Sequence, residues 1–346
     1  RRYWVGLDAG VETTAVCLVD GSGEILFEGL RETRAVQIRD ILRRFGVEAV
    51  EIITIEAGVG THMVRELRSF GYPVQIVELR RSSKFLAIQR QKTDTNDARG
   101  LADLGRLGRS IGGAIYLKPM DCQNIRTQLN IRKGLIRQRA RLEALLQSII
   151  RLHGGNFKIR AGLRARVLEI EAQAAALQSD GLDVTVDVRP VLDIASAMRV
   201  QVAAMDKRLL ETAKSHPVCS ILMTIPGVGP ITALSFYSAV GDPWRFSRNT
   251  DVGPYLGLTP TVRQSGSSLR VGRVSRFGNK LTRSHLVAAA NVLLCCIKSD
   301  CVLKIWGRRL ADKVGLAKAR VALARKLAVL MLTMWKSGSA YDPSLV

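Results

Sequence analysis

Asp94 and Asp97 stand three residues apart in the stretch Lys92-Thr93-Asp94-Thr95-Asn96-Asp97-Ala98-Arg99. The charged and apolar residues around them, Phe85 to Leu107, predict a helix. On a helix that spacing sends both carboxylates out from one face. Two anions held side by side repel each other, and the arrangement becomes favourable when a cation sits between them. A hard divalent ion is the natural candidate, because it takes carboxylate oxygens as ligands. The competing reading is a solvated face whose acids pair with Lys92 and Arg99. On the pair alone both readings stand.

A second group of chemical side chains lies far along the chain. The stretch Leu258-Thr259-Pro260-Thr261-Val262-Arg263-Gln264-Ser265-Gly266-Ser267-Ser268 runs on into Arg270, Arg273, Arg276, Lys280 and Arg283. No acid occurs from Thr259 to Arg283, so six cations have no counter-charge in sequence. Such a run suits a polyanion, and these six residues are the expected nucleic-acid contacts. Ser265, followed by Gly266, reads as part of a flexible loop in their midst. A hydroxyl among arginines is suited to attack phosphate, since the cations neutralise the developing charge. Ser267, Ser268 and Ser275 compete for the role, and a plain loop serine is the alternative.

The elements that must hold the acids precede them. Tyr3 to Asp8, Thr13 to Asp20 and Ile25 to Leu30 read as three short strands joined by glycine-bearing turns, the pattern of antiparallel hairpins. Val36 to Phe45 has helical spacing through Val36, Ile38, Ile41, Leu42 and Phe45. Glu51 to Glu56 is a strand of buried type, Thr61 to Phe70 a helix with Thr61 as N-cap, and Val74 to Leu79 a fifth strand. The order β-β-β-α-β-α-β-α is the plan of the ribonuclease-H-like fold. That plan puts one acid at the end of its first strand, one at the end of its fourth and the rest on a late helix. Those positions are Asp8, Glu56, Asp94 and Asp97. Four convergent carboxylates would hold two Mg²⁺ ions, roughly 3.5–4 Å apart, for phosphoryl chemistry. A degenerate scaffold without metal is the alternative.

Composition sets the partner class. The chain of 346 residues has 52 Lys and Arg against 30 acids, a formal charge of +22, which calls for nucleic acid. Its length suggests two or three domains, and 47% hydrophobic residues suffice for real cores. No basic amphipathic helix with aromatic anchors stands out to favour a membrane surface. No apolar run reaches the ~18 residues that span a bilayer. No signal peptide is visible, and the first residue, Arg1, suggests a trimmed initiator segment. Cys17, Cys122, Cys219, Cys295, Cys296 and Cys301 contain no Cys-x-x-Cys and have no His at zinc spacing, which points to reduced thiols in a cytosolic protein. His62, His153, His216 and His285 are scattered and read as structural.

Ile125 to Leu152 predicts a long helix with arginines on its outer face, broken at Gly154-Gly155. Helical pattern resumes over Ala161 to Leu177 and Val191 to about Lys214, with Asp180 to Pro190 as a connecting loop. An antiparallel coiled coil or small bundle follows, suited to self-association. Its arginines are either solvated or on phosphates. Thr224-Ile225-Pro226-Gly227-Val228-Gly229-Pro230 resembles the hairpin of a helix-hairpin-helix motif, in which Gly227 and Gly229 let the backbone approach a phosphate. A purely structural hairpin is the alternative. Leu286 to Ile297 and Ala317 to Trp335 read as core helices of the last domain.

Taken together, these pieces resemble one family, the DEDD-type insertion-sequence transposases of the IS-one-ten group, the bridge-RNA-guided serine recombinases. The matching segments are Gly6-Leu7-Asp8, Ile55-Glu56-Ala57, Lys92 to Ala98, Ile225 to Gly229, Gly257-Leu258-Thr259-Pro260, Ser265-Gly266, Gly272 to Asn279 and Ala322-Leu323-Ala324-Arg325-Lys326. They come in the family's order over nearly the whole chain. The family commonly has Ser-Gly-Gly where this chain has Ser265-Gly266-Ser267, and Ser265 keeps the spacing from Pro260 and to Gly278.

The resemblance implies three parts: a RuvC-like DEDD metal-binding domain over 1–115, a helical coiled-coil arm over 116–215, and a mainly helical transposase domain over 216–346 with a helix-hairpin-helix. It implies Mg²⁺ (or Mn²⁺) on Asp8, Glu56, Asp94 and Asp97, and Ser265 as the nucleophile that forms a phosphoserine link to cleaved DNA. The implied partners are double-stranded target and donor DNA, a structured bridge RNA that pairs with both, and further copies of the chain in a tetramer, all in the bacterial cytoplasm at the nucleoid. The runner-up is a metal-only endonuclease of the Holliday-junction-resolvase kind. A third reading is a non-catalytic nucleic-acid-binding protein.

Overall fold

The structure is a computed structural model that describes residues 1–78, 93–108, 114–155, 163–179, 184–266, 268–275 and 277–343. It divides into two compact units, Arg1–Leu117 and Lys118–Val346.

The first unit is built on a sheet of order β3-β2-β1-β4-β5-β6. β1 (Tyr3–Ala9), β2 (Thr13–Asp20) and β3 (Ile25–Glu32) form the antiparallel meander. β4 (Val50–Glu56) and β5 (Val74–Val77) continue parallel to β1. A short β6 (Ala114–Ile115), not anticipated from sequence, runs antiparallel on the far edge. This is the expected ribonuclease-H-like, RuvC-type plan. α1 (Ala35–Leu42) and α2 (Thr61–Ser69) bury Ile38, Leu42, Met63 and Leu67 against Val5, Leu7, Val16 and Leu18. The opposite sheet face is taken by α3 (Asp94–Leu107). The part of the expected central helix before Asp94, from Phe85 to Lys92, lies outside the described residues.

Small side chains let α3 lie flat on the sheet. Ala98, Ala102 and Gly105 recur at helical spacing, and Ala98 and Ala102 pack on Ala15, Cys17 and Val19. Gly6 takes the closest approach: a Cβ there would collide with the backbone of Ala98 and Ala102. Further along, a Cβ on Gly105 would meet Thr54 and Ile52 of β4. Any larger residue at these points would lift the helix off.

In the second unit, α4 (Met120–Leu152) and α6 (Thr185–Ser215) run antiparallel. Ile125 and Leu129 share a core with Leu209 and Ala213, while at the other end Leu146 and Ile150 meet Val188 and Leu192. α5 (Leu163–Ser179) closes that far end through Ile170 and Ala174. The expected loop over Asp180 to Pro190 is shorter than the sequence suggested. α6 already begins at Thr185 and carries Pro190 in its second turn. A proline inside a helix costs a backbone hydrogen bond, and Val188 and Leu192 on either side of it are buried.

The remainder is mainly helical, with α7 (Pro217–Leu222), α8 (Pro230–Val240), α9 (Val252–Tyr255), α10 (Lys280–Cys295), α11 (Val302–Val314) and α12 (Leu316–Ser337) around one apolar core. One lysine is sealed inside it. Lys304 donates to the carbonyls of Ile297, Lys298 and Ser299 at 2.8, 3.1 and 3.3 Å and pairs with Asp300 at 2.9 Å, closing the turn between α10 and α11. A hairpin, β7 (Pro260–Ser265) and β8 (Ser268–Val274), interrupts the helices. No helix among the described residues is long and apolar enough to cross a membrane. All six cysteines are free.

Candidate functional site

The backbone brings the four acids to one end of one sheet face. Asp8 and Glu56 directly follow Leu7 and Ile55, the last register partners between the adjacent parallel strands β1 and β4. Side chains alternate along a strand. Val5, Leu7, Ile53 and Ile55 fill the core under α1 and α2, so Gly6 and Asp8, and Thr54 and Glu56, belong to the face that carries α3. The direction of α3 follows from its contacts. Its last turn lies at the β2–β3 turn, where Arg106 reaches the carbonyl of Gly21 at 3.5 Å. That turn is beside Tyr3, the start of β1, because Tyr3 pairs with Asp20. Ala98 lies over Gly6. The helix therefore runs against β1, and its first turn, with Asp94 and Asp97, is at the Asp8 and Glu56 end.

That first turn is well made. Thr93 is the N-cap, accepting from the Asn96 N–H at 3.2 Å. Both aspartates face the positive end of the helix dipole, which stabilises each by roughly 0.3–1 kcal/mol. Arg99 does not pair with them. It forms a two-pronged ion pair with Glu28 of β3, with Nη2 to Oε2 at 2.7 Å and Nε to Oε1 alongside. The reading in which Arg99 neutralises Asp94 and Asp97 is thereby removed, and Lys92 lies outside the described residues.

All four donors are carboxylates at least partly open to solvent, which is the oxygen-rich chemistry a hard divalent ion takes. Among the described residues no three His, Cys, Asp or Glu side chains stand close enough to form a ligand group. The fold supplies a common face and a common end rather than a closed cage.

Ser265 is the last residue of β7, exposed, and paired with Ser268 across the hairpin. The sequence reading of a flexible loop is replaced by a strand end. Gly266 turns the chain with φ +57°, in the left-handed region that favours glycine, and Ser267 lies outside the described residues. Alternation of Val262 and Gln264, then Leu269 and Val271, around a glycine was the hairpin signal available in the sequence. In register Arg263 stands opposite Arg270, two pairs below Ser265 and Ser268.

The base of this hairpin is a tight crossing of two loops. A Cβ at Gly257, whose φ is +68°, would collide with the carbonyl of Phe277, and one at Gly278, φ +78°, with that of Tyr255. Arg283 ties the crossing, its Nη1 donating to the carbonyls of Leu256 and Phe277 at 3.1 and 2.9 Å. Ser275 N–H donates to the Thr259 carbonyl at 2.7 Å, and Asn279 caps α10. The segments around Gly257 and Gly278 thus anchor the strand that ends in Ser265.

The other expected contacts divide. Arg270, Arg273 and Lys280 are exposed, whereas Arg283 is engaged in the loop clamp and Arg276 lies outside the described residues. Gly227 has φ +85°, and a Cβ there would meet the Ala289 carbonyl at 2.9 Å and Leu293 at 3.1 Å, so packing on α10 demands a glycine. Gly229 is exposed at the start of α8. The helices flanking this turn have 6 and 11 residues.

A RuvC-like sheet with acids in the DEDD order, followed by a helical unit with an exposed hairpin, is the arrangement expected of a transposase of the DEDD class. Comparison with known proteins agrees. Residues 5–153 match the DEDD-type IS110 transposase model, and residues 219–300 match the transposase IS116/IS110/IS902 family. The chain belongs to the IS110/IS116 family of DEDD transposases. It is 25% identical to the transposase for insertion sequence element IS1111A of Coxiella burnetii, over 97% of this chain and 90% of that one. It is 21% identical to a probable family 20 transposase of Pseudomonas aeruginosa, over 98% of both. An uncharacterized 44.8 kDa protein of insertion element IS116 from Streptomyces clavuligerus is 24% identical, over 99% of this chain and 97% of that one. Among solved structures, Thermus thermophilus RuvC in complex with a Holliday junction substrate aligns with TM-score 0.28 and 14% identity, covering 34% of this chain and all of that one. Membership of a DEDD transposase family suggests use of a divalent metal.

Proposed function

We propose that this transposase cuts and rejoins DNA through a phosphoserine link at Ser265, assisted by Mg²⁺ (or Mn²⁺) held by Asp8, Glu56, Asp94 and Asp97. A structured bridge RNA directs it to donor and target DNA by base pairing. The observation that carries this reading is the exposure of Ser265 at the tip of an anchored cationic hairpin, in a chain whose other unit carries Asp8, Glu56, Asp94 and Asp97 toward one end of one sheet face.

Ser265 Oγ forms a bond to the scissile phosphorus, and the bond from phosphorus to the bridging sugar oxygen breaks. The displaced oxygen takes up a proton and leaves as a sugar hydroxyl. Attack on the phosphoserine by the hydroxyl of the recombining strand then frees the serine. Arg270, with Arg263 opposite in register, offsets the charge that builds on the phosphate. The bound metal, held by the four carboxylates, would supply further neutralisation and orientation of that phosphate. The reading includes a homotetramer joined through the α4–α6 helices, in which one copy's acids serve another's serine. The formal charge of +22 supports long phosphate contacts with both DNA and RNA, and the bacterial nucleoid is the proposed site of action.

Trapping tests the reading. Protein, guide RNA, donor and target DNA and Mg²⁺ are incubated, then denatured, and a protein–DNA adduct is sought. The wild-type chain gives the adduct and Ser265→Ala does not. An adduct that persists in Ser265→Ala removes the serine assignment. Cleavage without any adduct makes the protein a metal-only nuclease. Unchanged cleavage after combined Asp8→Asn and Glu56→Gln substitution removes the role of the acids.

A further inference from the structure

Beside the hairpin base, the second unit carries a groove of about 870 Å³ that the cleavage reading leaves unused. Leu258, Val271, Val321 and Val329 make its floor and walls apolar. Among the described residues four cations stand around it, Arg273 from β8 and Lys318, Arg325 and Lys326 from α12, and no acid lines it. Trp306 of α11 completes the lining, with the Lys326 ammonium 5.0 Å from its ring centre. The stem of Arg325 lies across Gly253, where a Cβ would come within 3.1 Å of Nε, so the arginine is held in place by packing.

The chemistry narrows the occupant. An apolar peptide or acyl chain would fill the floor but leave the four cations unused. A fully paired duplex would meet the cations but has no apolar part to enter the floor. A nucleotide turned out of its stack satisfies both, with its base against the aliphatic walls and indole and its flanking phosphates on the cations. The volume is in the range of small-molecule sites. The groove's wall is the same hairpin that ends in Ser265. Pro260 lines the groove and Ser265 is five residues further on, ~17 Å along an extended strand. That is about five base steps at the ~3.4 Å rise of duplex DNA.

We propose that this groove captures one unpaired nucleotide of the DNA strand presented to Ser265, about five steps from the scissile phosphate. The choice of DNA rests on the reading of Ser265 given above; the choice of an extruded nucleotide rests on the groove alone.

The test uses the full-length protein at fixed salt and compares two DNA duplexes, one fully paired and one carrying a single unpaired 2-aminopurine nucleotide. The unpaired duplex binds roughly tenfold tighter or more, the scale of one stacked base, and its 2-aminopurine fluorescence is quenched on binding. Val321→Trp, which fills the groove, abolishes both effects. Should that variant fail to fold, the exposed pair Lys318→Ala and Arg325→Ala reduces the preference instead. Equal affinity for the two duplexes overturns the proposal. So does a preference that survives in the folded groove variants, and so does a preference for unpaired RNA over unpaired DNA. Ser265→Ala retains the preference, so loss of the covalent adduct with the preference intact condemns neither reading. An adduct that persists in Ser265→Ala refutes the nucleophile alone, and a normal adduct without preference refutes the groove alone.

Discussion

Replacing Gly6 by alanine tests the seating of α3, on which the grouping of the acids depends. The added methyl would lie 1.9 Å from the Ala98 carbonyl oxygen and 2.4 Å from the Ala102 nitrogen. Both are backbone atoms inside a helix, so no side-chain rotation relieves the clash. Reaching an ordinary contact of 3.4 Å requires the helix to retreat about 1.5 Å from the sheet. The surrounding layer, Ala15, Cys17, Val19, Ala98 and Ala102, is fully or almost fully buried and has no slack. Overpacking at such a site costs ~1–3 kcal/mol, sometimes more. The same retreat carries Asp94 and Asp97 with the helix, and a ~1 Å misplacement of catalytic groups can cost ~100-fold in rate. Calorimetry should show a loss of at least ~1 kcal/mol, and a Mg²⁺-dependent strand-cleavage assay a fall of ~100-fold. Gly105→Ala, whose worst contact is the Thr54 hydroxyl, should be milder in both. A Gly6→Ala protein with stability within ~0.5 kcal/mol of wild type and full cleavage activity would show that α3 does not lie on β1 as described.

Gly257→Ala combines a left-handed backbone, at ~1–2 kcal/mol, with a collision on the Phe277 carbonyl, so ~2–5 kcal/mol should be lost on chemical denaturation. His285 gives a pH dependence: burial, then the charges of Arg132 and Lys133, push its pKa down to about 4. An unfolded imidazole titrates near 6.5, so below that pH the unfolded chain binds a proton that the folded chain refuses. Stability should be constant above about pH 7 and fall by ~2–3 kcal/mol toward pH 4, and His285→Gln should flatten that part of the curve. Nucleic-acid affinity should drop steeply with salt, by about 0.9 in the log–log slope for each phosphate neutralised on duplex DNA; Arg270→Ala should make the slope shallower by about one unit, and an unchanged slope would place that arginine off the phosphates.

Much of the first unit was legible in the order of residues alone. Short buried strands, hairpin turns and two amphipathic helices dictate a β-β-β-α-β-α-β plan, because alternation and helical spacing are local properties of the chain. Asp8 and Glu56 were legible for the same reason, as acids that end apolar strands. So was the cationic character of Thr259 to Arg283, since charge is additive and needs no fold.

What no local pattern contains is which atoms meet. Gly6 reads as one more glycine until α3 lies across it, and only then do Asp94 and Asp97 belong to the same end as Asp8. Arg99 and Arg283 look like free cations in the sequence. The fold gives one to Glu28, 71 residues away, and the other to two loop carbonyls. The groove walled by β8, α11 and α12 is likewise a product of packing between distant segments. The amino-acid order by itself determined the types of chemistry this protein carries and the strands and helices that bear them. Tertiary structure alone decided which of those groups are spent on holding the fold and which remain to act, because that choice depends on contacts between residues far apart in the chain.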